Sequence, residues 1–274
     1  MPFATINQHQ LHYTDFPATS SPTSPSSSSS SSSSPTLIFV HGLGSSQNFF
    51  YPILPYLAAY RRIVFDNYNA ARSQTDGGET SIASIGQDVL ALLDHLHVDK
   101  AVIIGFSMGA IVPTHLASTS PERVIGGVLI GPVHPTEAVA DVFEKRIPVV
   151  TEQGVEAMAN SVPDGATGSK ATPLQKALIR EMLLGQTTEG YVAHCKAIKN
   201  ATPPDYAKVT APILVIAGDE DKSAPLTGVQ TIYQALGSSD KKLEVLNGVG
   251  HWIAVESPDE VGPLIKTFVD KLAS

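Results

Sequence analysis

Cysteine is almost missing from this chain: Cys195 is the single one among 274 residues. That excludes an intrachain disulfide and any metal cluster built on thiolates. Long apolar runs are missing too. No stretch approaches the roughly 20 residues that span a bilayer, so no membrane partner is expected. Basic clusters interleaved with aromatics do not occur and the net charge is −8, which argues against nucleic acid as a partner. The first eight residues, Met1 to Gln8, carry neither a basic nor an apolar segment. They predict no secretory leader, and the cytoplasm is the expected compartment. No pair of histidines has convincing metal-ligand spacing, so no metal is expected. The Gly-x-Gly pattern after Val40 is incomplete and lacks a dinucleotide context, so no cofactor is expected.

What is present is a hydrophobic content of 42%, enough for one large α/β domain or a core with a small lid. Ser20 to Pro35 is a Ser/Pro/Thr tract containing nine consecutive serines, Ser26 to Ser34. It cannot bury apolar area and is expected to be a disordered, inserted hairpin loop. It separates short strands at Phe3–Ile6 and Leu11–Tyr13 from a stronger one at Thr36–Val40. Further strands are predicted at Arg62–Phe65, Lys100–Ile104, Val124–Ile130, Ile213–Ala217 and Leu243–Leu246. Helices are predicted at Ile82–His95, at Met108–Ser118 with an early bend at Pro113, and at Asp259–Leu272. Apolar strands alternating with helices imply a mostly parallel sheet covered on both faces.

From Gly131 to Tyr206 the alternation stops. Four helical pieces are predicted there, Thr136–Arg146, Val149–Ser161, Pro173–Leu184 and Thr188–Asn200, broken by Pro148, Pro163 and several glycines. An all-helical insertion between two sheet strands reads as a cap over the sheet edge. The expected organisation is a core in two parts, 1–131 (with the serine-rich loop 20–35) and 207–274, around a helical cap, 132–206.

The chemistry concentrates at strand ends. Gly105-Phe106-Ser107-Met108-Gly109 follows an apolar strand and opens a helix. Strand, G-x-S-x-G, helix is a sharp turn that lifts a serine hydroxyl over the sheet edge. Serine is a poor nucleophile without a base, a carboxylate to hold the base, and donors for the oxyanion. Asp219 and Asp221 both follow the strand Ile213–Ala217. Asp221 is the better acid, being deeper in the loop and stiffened by Pro225, with Asp219 as a turn residue. His251 follows the strand Leu243–Leu246 and comes third in the order Ser, acid, His. His95 and His97 sit at a helix end, and His115, His134 and His194 read as packing or cap residues. After Thr36–Val40, His41-Gly42-Leu43-Gly44 lets backbone approach a ligand. The N–H groups of Leu43 and Met108 are the expected oxyanion donors.

At these motifs the chain resembles the α/β-hydrolase superfamily. His41 to Gly44, Gly105 to Gly109, Gly218 to Pro225 and Gly250-His251 carry the resemblance, which covers nearly everything from Thr36 onward. The implied fold is an α/β-hydrolase fold: a mostly parallel central sheet flanked by helices, with a four-helix cap. Within the superfamily the chain is most similar to 3-oxoadipate enol-lactonase-type carboxylesterases, through Glu189 to Ile198, Pro212 to Asp221 and Gly250 to Pro258. One element departs from the pattern. Asp66-Asn67-Tyr68-Asn69-Ala70-Ala71-Arg72-Ser73 has alanine where such hydrolases carry glycine. Its Asp66-Asn67 start and the four-helix cap also resemble butenolide receptor hydrolases of the strigolactone and karrikin type.

These readings together imply hydrolysis of a small carboxylic ester or lactone through an acyl-enzyme on Ser107. The second resemblance implies instead a signal receptor with a slow triad, whose ligand reshapes the cap and recruits a protein partner. The pocket is expected to be apolar, with Phe49, Phe50, Val133, Met158, Met182 and Trp252 as walls beside Leu43 and Met108. A carboxylate-bearing lactone would want a cation, for which Arg146, Arg180 and Lys196 are the cap candidates.

Overall fold

The computed structural model describes residues 2–19 and 34–273. Among these, eight strands form one sheet: β1 (Phe3–Ile6), β2 (His9–Phe16), β3 (Thr36–Val40), β4 (Arg62–Phe65), β5 (Ala101–Phe106), β6 (Val124–Ile130), β7 (Ile213–Gly218) and β8 (Lys241–Leu246). Their order is β1-β2-β4-β3-β5-β6-β7-β8. The first two pairings are antiparallel and the rest parallel. The serine tract expected to be a disordered loop lies, over residues 20–33, outside the described residues. Its flanking strands are not a hairpin, because β4 pairs with both β2 and β3 and so separates them.

The helices are α1 (Ile82–His95), α2 (Ile111–Thr119), α3 (Glu137–Gln153), α4 (Glu156–Gly165), α5 (Pro173–Leu184), α6 (Thr188–Lys199), α7 (Leu226–Ala235), α8 (Ile253–Glu256) and α9 (Pro258–Ala273). Alternate residues of each central strand go to opposite faces. Ile38, Val40, Ile103 and Leu129 join one apolar cluster with Val89 of α1 and Leu116 of α2. Phe39, Ile104, Val128 and Ile130 join another with Val261, Ile265 and Val269 of α9. Burial on both faces explains why these strands are unbroken apolar runs. A reciprocal capping box starts α1: Ser81 Oγ accepts from Ser84 N at 3.0 Å, and Ser84 Oγ accepts from Ser81 N at 2.8 Å.

Helices α3 to α6 lie between β6 and β7, with α3 packed along α6 and α4 along α5. The break expected at Pro148 does not occur; α3 runs through it and ends at Gly154, where φ is +73°. Pro148 removes one helical hydrogen bond. It lies on the exposed side of the helix, as does Glu144, where water can serve the freed carbonyl. The expected helix at Met108 begins instead with a 3-10 turn, Ser107–Ala110, and α2 starts at Ile111. Pro113 falls in its first turn, where a missing N–H has little to lose. Two helices were not expected, α7 and the short α8. A parallel pair such as β7 and β8 needs a crossover, but Gly228 and the β-branched residues of α7 blur its helical signal.

Candidate active site

Ser107 stands at the carboxyl end of β5 with φ +55°. A left-handed conformation costs a non-glycine residue roughly 1–2 kcal/mol, and the surroundings enforce it. A Cβ on Gly105 would lie 2.2 Å from the Gly109 carbonyl oxygen, and one on Gly109 would lie 2.2 Å from the Val40 carbonyl oxygen. The turn thus packs backbone against backbone on itself and on the end of β3, and side chains at either position would pry it open.

Two loops bring partners to Ser107. The loop after β7 carries Asp221, whose side chain is fully buried. Its Oδ1 accepts N–H bonds from Ser223 and Ala224, both at 2.8 Å. The loop after β8 carries His251. The Ser107 hydroxyl donates to His251 Nε2 at 2.8 Å, and His251 Nδ1–H donates to Asp221 Oδ2 at 2.8 Å. This partner set implies the Nδ1–H tautomer of the imidazole. Asp219 points elsewhere: its Oδ1 accepts from Gly248 N at 2.6 Å and ties the two loops together.

The loop after β3 is pinned by His41. That imidazole donates from Nδ1 to the Gly42 carbonyl at 2.8 Å and accepts at Nε2 from Asn67 N at 2.9 Å. Burial pushes its pKa down, against the opposing influence of Asp66 and the Gly42 carbonyl. A neutral ring is what the accepting Nε2 needs. A Cβ on Gly42 would lie 2.9 Å from Ser107 Cβ, so the missing side chain lets this loop carry the Leu43 backbone up to the serine. Met108 follows Ser107 directly, and its side chain is buried in the core. In the departing Asp66 to Ser73 element, Asn69 and Ala71 adopt φ of +66° and +48°. The glycine-like backbone is kept without the glycine.

A cavity of about 520 Å³ opens above Ser107 and His251. Leu43, Val133, Met158 and Trp252 line it, as expected of the walls. Phe49, Phe50 and Met182 do not. A 3-10 turn, Gln47–Phe50, rotates both phenylalanines into the core, where Phe49 stacks on Phe106 at 3.8 Å and Phe50 packs on Phe39 at 5.0 Å. Met182 turns toward Ser45, its sulfur 3.9 Å from the hydroxyl. Their place is taken by residues that composition did not single out: Val139, Phe143, Tyr191 and Lys222. The spacing of Val139, Phe143 and Arg146, on one helical face, was the available signal.

Of the cap cations, Arg146 lines the cavity, its guanidinium 4.9 Å from the Phe143 ring centroid. Burial pushes Tyr191 up to about 12, and the neighbouring Arg146 guanidinium works against that. Arg180 instead binds Asn160 at 3.2 Å and pairs with Glu181 at 3.7 Å, and Lys196 is exposed. Among the described residues, the cavity's charged walls are Arg146 and Lys222, and no carboxylate side chain lines it. Burial also pushes Cys195 up to about 12, so its thiol stays protonated and inert. Among the described residues no cluster of three His, Cys, Asp or Glu side chains could hold a metal ion, and no helix is long and apolar enough to cross a membrane.

Residues 37–263 match the alpha/beta hydrolase family. The 3-oxoadipate enol-lactonase 2 of Acinetobacter baylyi is 30% identical over 231 residues, covering 82% of this chain and 84% of that protein. A putative carbamate hydrolase, RutD of Serratia proteamaculans, is 28% identical over 204 residues, covering 70% of this chain and 75% of that one. The crystal structure of the enol-lactonase from Burkholderia xenovorans superposes with a TM-score of 0.87 at 23% identity, over 98% of this chain and all of that one. At that identity it speaks for the fold.

Proposed function

The chain belongs to the alpha/beta hydrolase family, and from that premise we propose that it cleaves a small carboxylic ester or lactone through an acyl-enzyme on Ser107. The observation that carries this is the unbroken hydrogen-bonded run Ser107–His251–Asp221 at the floor of a largely apolar cavity. His251 Nε2 takes the Ser107 proton as Oγ attacks the carbonyl carbon. The N–H groups of Leu43 and Met108 hold the oxyanion; one such donor is typically worth about 10²–10³ in rate. Asp221 keeps the Nδ1–H tautomer and stabilises the imidazolium. That imidazolium returns its proton to the leaving oxygen as the carbonyl re-forms. In a lactone the leaving oxygen stays attached to the acyl chain, so ring opening releases nothing until water arrives. Water, giving its proton to His251, then attacks the acyl-enzyme and frees the acid and Ser107.

The substrate carries a carboxylate that pairs with Arg146. A protein of net charge −8 has placed two cations and no carboxylate side chain in the described walls of this cavity. Guanidinium binds carboxylate by two parallel hydrogen bonds. The enol-lactonase name of the 30% identical relative supports the same chemistry. An oxoadipate has two carboxylates, and closing the lactone uses one and leaves the other free.

Hydrolysis of p-nitrophenyl acetate and of small lactones, with and without a carboxylate, tests both parts. Ser107→Ala is expected to lose at least roughly 10³-fold in kcat; equal rates would remove the serine from the reaction. Arg146→Met is expected to raise KM for the carboxylate-bearing lactone about tenfold, equivalent to ~1.4 kcal/mol, and to leave p-nitrophenyl acetate unaffected. Equal losses on both substrates would deny the charge reading.

A further inference from the structure

Glu256 ends α8, lies five residues beyond His251 in the chain, and is buried. Backbone N–H groups, rather than a cation, take up its carboxylate. Oε1 accepts from Trp252 N at 2.8 Å; Oε2 accepts from Gly250 N at 2.9 Å and from Gly168 N at 2.7 Å. Two of these donors flank His251 and the third belongs to the connection between α4 and α5. The remaining N–H of that row, His251's own, donates to the Ala166 carbonyl at 2.8 Å, again in the cap. The segments touch backbone to backbone, since a Cβ on Gly250 would lie 2.4 Å from Gly168 N. From α5, Gln175 Nε2 donates to the carbonyls of Val255 at 2.8 Å and Glu256 at 3.0 Å.

We propose that Glu256 is a positioning residue for His251: its carboxylate holds the backbone on both sides of the imidazole, ties that loop to the cap at Gly168, and favours the imidazolium that forms when Ser107 gives up its proton. This rests on the acyl-enzyme reading above. Both oxygens are used as acceptors, for three N–H bonds in all, an arrangement that suits an ionised carboxylate. An amide has one acceptor oxygen, and its NH₂ would face a backbone N–H. Burial outweighs the rest and holds the Glu256 carboxyl above the usual carboxylate range, while the three N–H bonds and the charge of His251 pull it back. The other charged groups around this assembly are Asp221 on the imidazole, Asp219, which accepts from Gly248 N at 2.6 Å, Glu220, which accepts from Ser169 N at 2.6 Å, Lys170, whose chain lies against Gly248, and Lys222 and Arg146 in the cavity walls.

The test compares wild type, Glu256→Gln and Glu256→Asp by kcat and KM for p-nitrophenyl acetate from pH 5 to 9. A fluorophosphonate probe reports labelling at Ser107, and melting curves report folding. Glu256→Gln is expected to lose about 10–10²-fold in kcat, as for a misplaced catalytic group. Its acid limb should move about half a unit or more to lower pH, because a negative neighbour of the imidazolium is gone. Glu256→Asp keeps the charge, so it should lose kcat with its acid limb in place. A folded Gln variant with wild-type rate and acid limb overturns the proposal. If the Gln variant does not fold, Glu256→Asp decides: reduced kcat at an unmoved acid limb supports the proposal, and wild-type kcat overturns it. Labelled wild type with unaffected variants sinks the Glu256 role alone. Unlabelled wild type sinks the acyl-enzyme reading and this role with it, as no imidazolium then forms.

Discussion

The floor and the roof of the cavity are built by opposite rules. The floor is made of strand ends. Ser107, Asp221 and His251 are buried there, bonded to one another or to backbone at 2.8 Å, and fitted around glycines whose Cβ would collide with neighbouring backbone. The roof is a helical face. Phe143 and Arg146 are half-buried, and Val142 lines the cavity while 52% exposed. Besides the ties at Ala166, Gly168 and Gln175, side chains from α6 and the turn before it seat the roof on the core. Gln186 donates to the Ser45 carbonyl at 3.1 Å and accepts from Ala71 N at 3.2 Å, and His194 Nε2–H donates to the Tyr68 carbonyl at 2.8 Å. The difference teaches where each kind of change should register. On the acyl-enzyme reading proposed above, floor groups act on reacting atoms through fixed geometry, so displacing them is expected to lower kcat. On the same reading roof groups contact the rest of the substrate, so changing them is expected to move KM and selectivity.

The largest effect that sharpens this contrast is Asp221→Asn, expected to reduce kcat by roughly 10⁴-fold with the fold intact, because the imidazole loses its tautomer. A roof substitution with an equal effect on kcat would break the contrast. Next comes Gly42→Ala. Its methyl would press on Ser107 Cβ at 2.9 Å and on the Phe106 carbonyl oxygen at 3.1 Å. If the Leu43 N–H serves the oxyanion as proposed, misplacing its loop by part of an ångström is expected to reduce kcat on the order of 10²-fold. A measured change confined to KM would show that this loop belongs with the roof.

The smallest effect concerns pH, where each half hides a buried histidine, His41 beneath the floor and His194 beneath the roof. Burial pushes His194 down to about 4, with His41 adding to the fall and the Tyr68 carbonyl opposing it. An exposed imidazole titrates near 6.5. Between those values the unfolded chain binds a proton that the folded chain refuses. Stability therefore falls as pH falls from about 6.5 to about 4, with a loss on the order of 2 kcal/mol between pH 7 and pH 5 from His194. His41 shifts in the same direction. Urea unfolding at the two pH values measures the loss. His194→Gln, which keeps a donor for Tyr68, should flatten the slope; an unchanged slope would assign it to the floor.

Much of the floor could be read from residues in order. Gly105, Gly109 and Ser107 form one local turn, and a turn of that kind has steric demands that few residues satisfy. The order Ser107, Asp221, His251 follows from strands that each end in a loop at the same sheet edge, and loop depth and Pro225 favour Asp221 over Asp219. The roof was legible only as helices. Phe49 and Phe50 looked like walls because large apolar side chains suit a pocket and a core equally. The 3-10 turn that buries them is visible only once the folded backbone and the Phe106 ring are in place. Pro148 looked like a break because local propensity ignores the packing of α3 along α6.

By itself, then, the sequence determined the alternation that makes a mostly parallel sheet, the elbow at Ser107 and the two loops that supply Asp221 and His251. These rest on short-range sterics and on periodicity, which neighbouring residues encode. Tertiary structure alone decided that Arg146 faces the cavity while Arg180 pairs with Glu181, that Phe49 is core, and that Glu256 binds Gly168 from 88 positions away. The physical reason is that a side chain's partner across the chain depends on how whole helices and loops dock, and no local pattern carries that information.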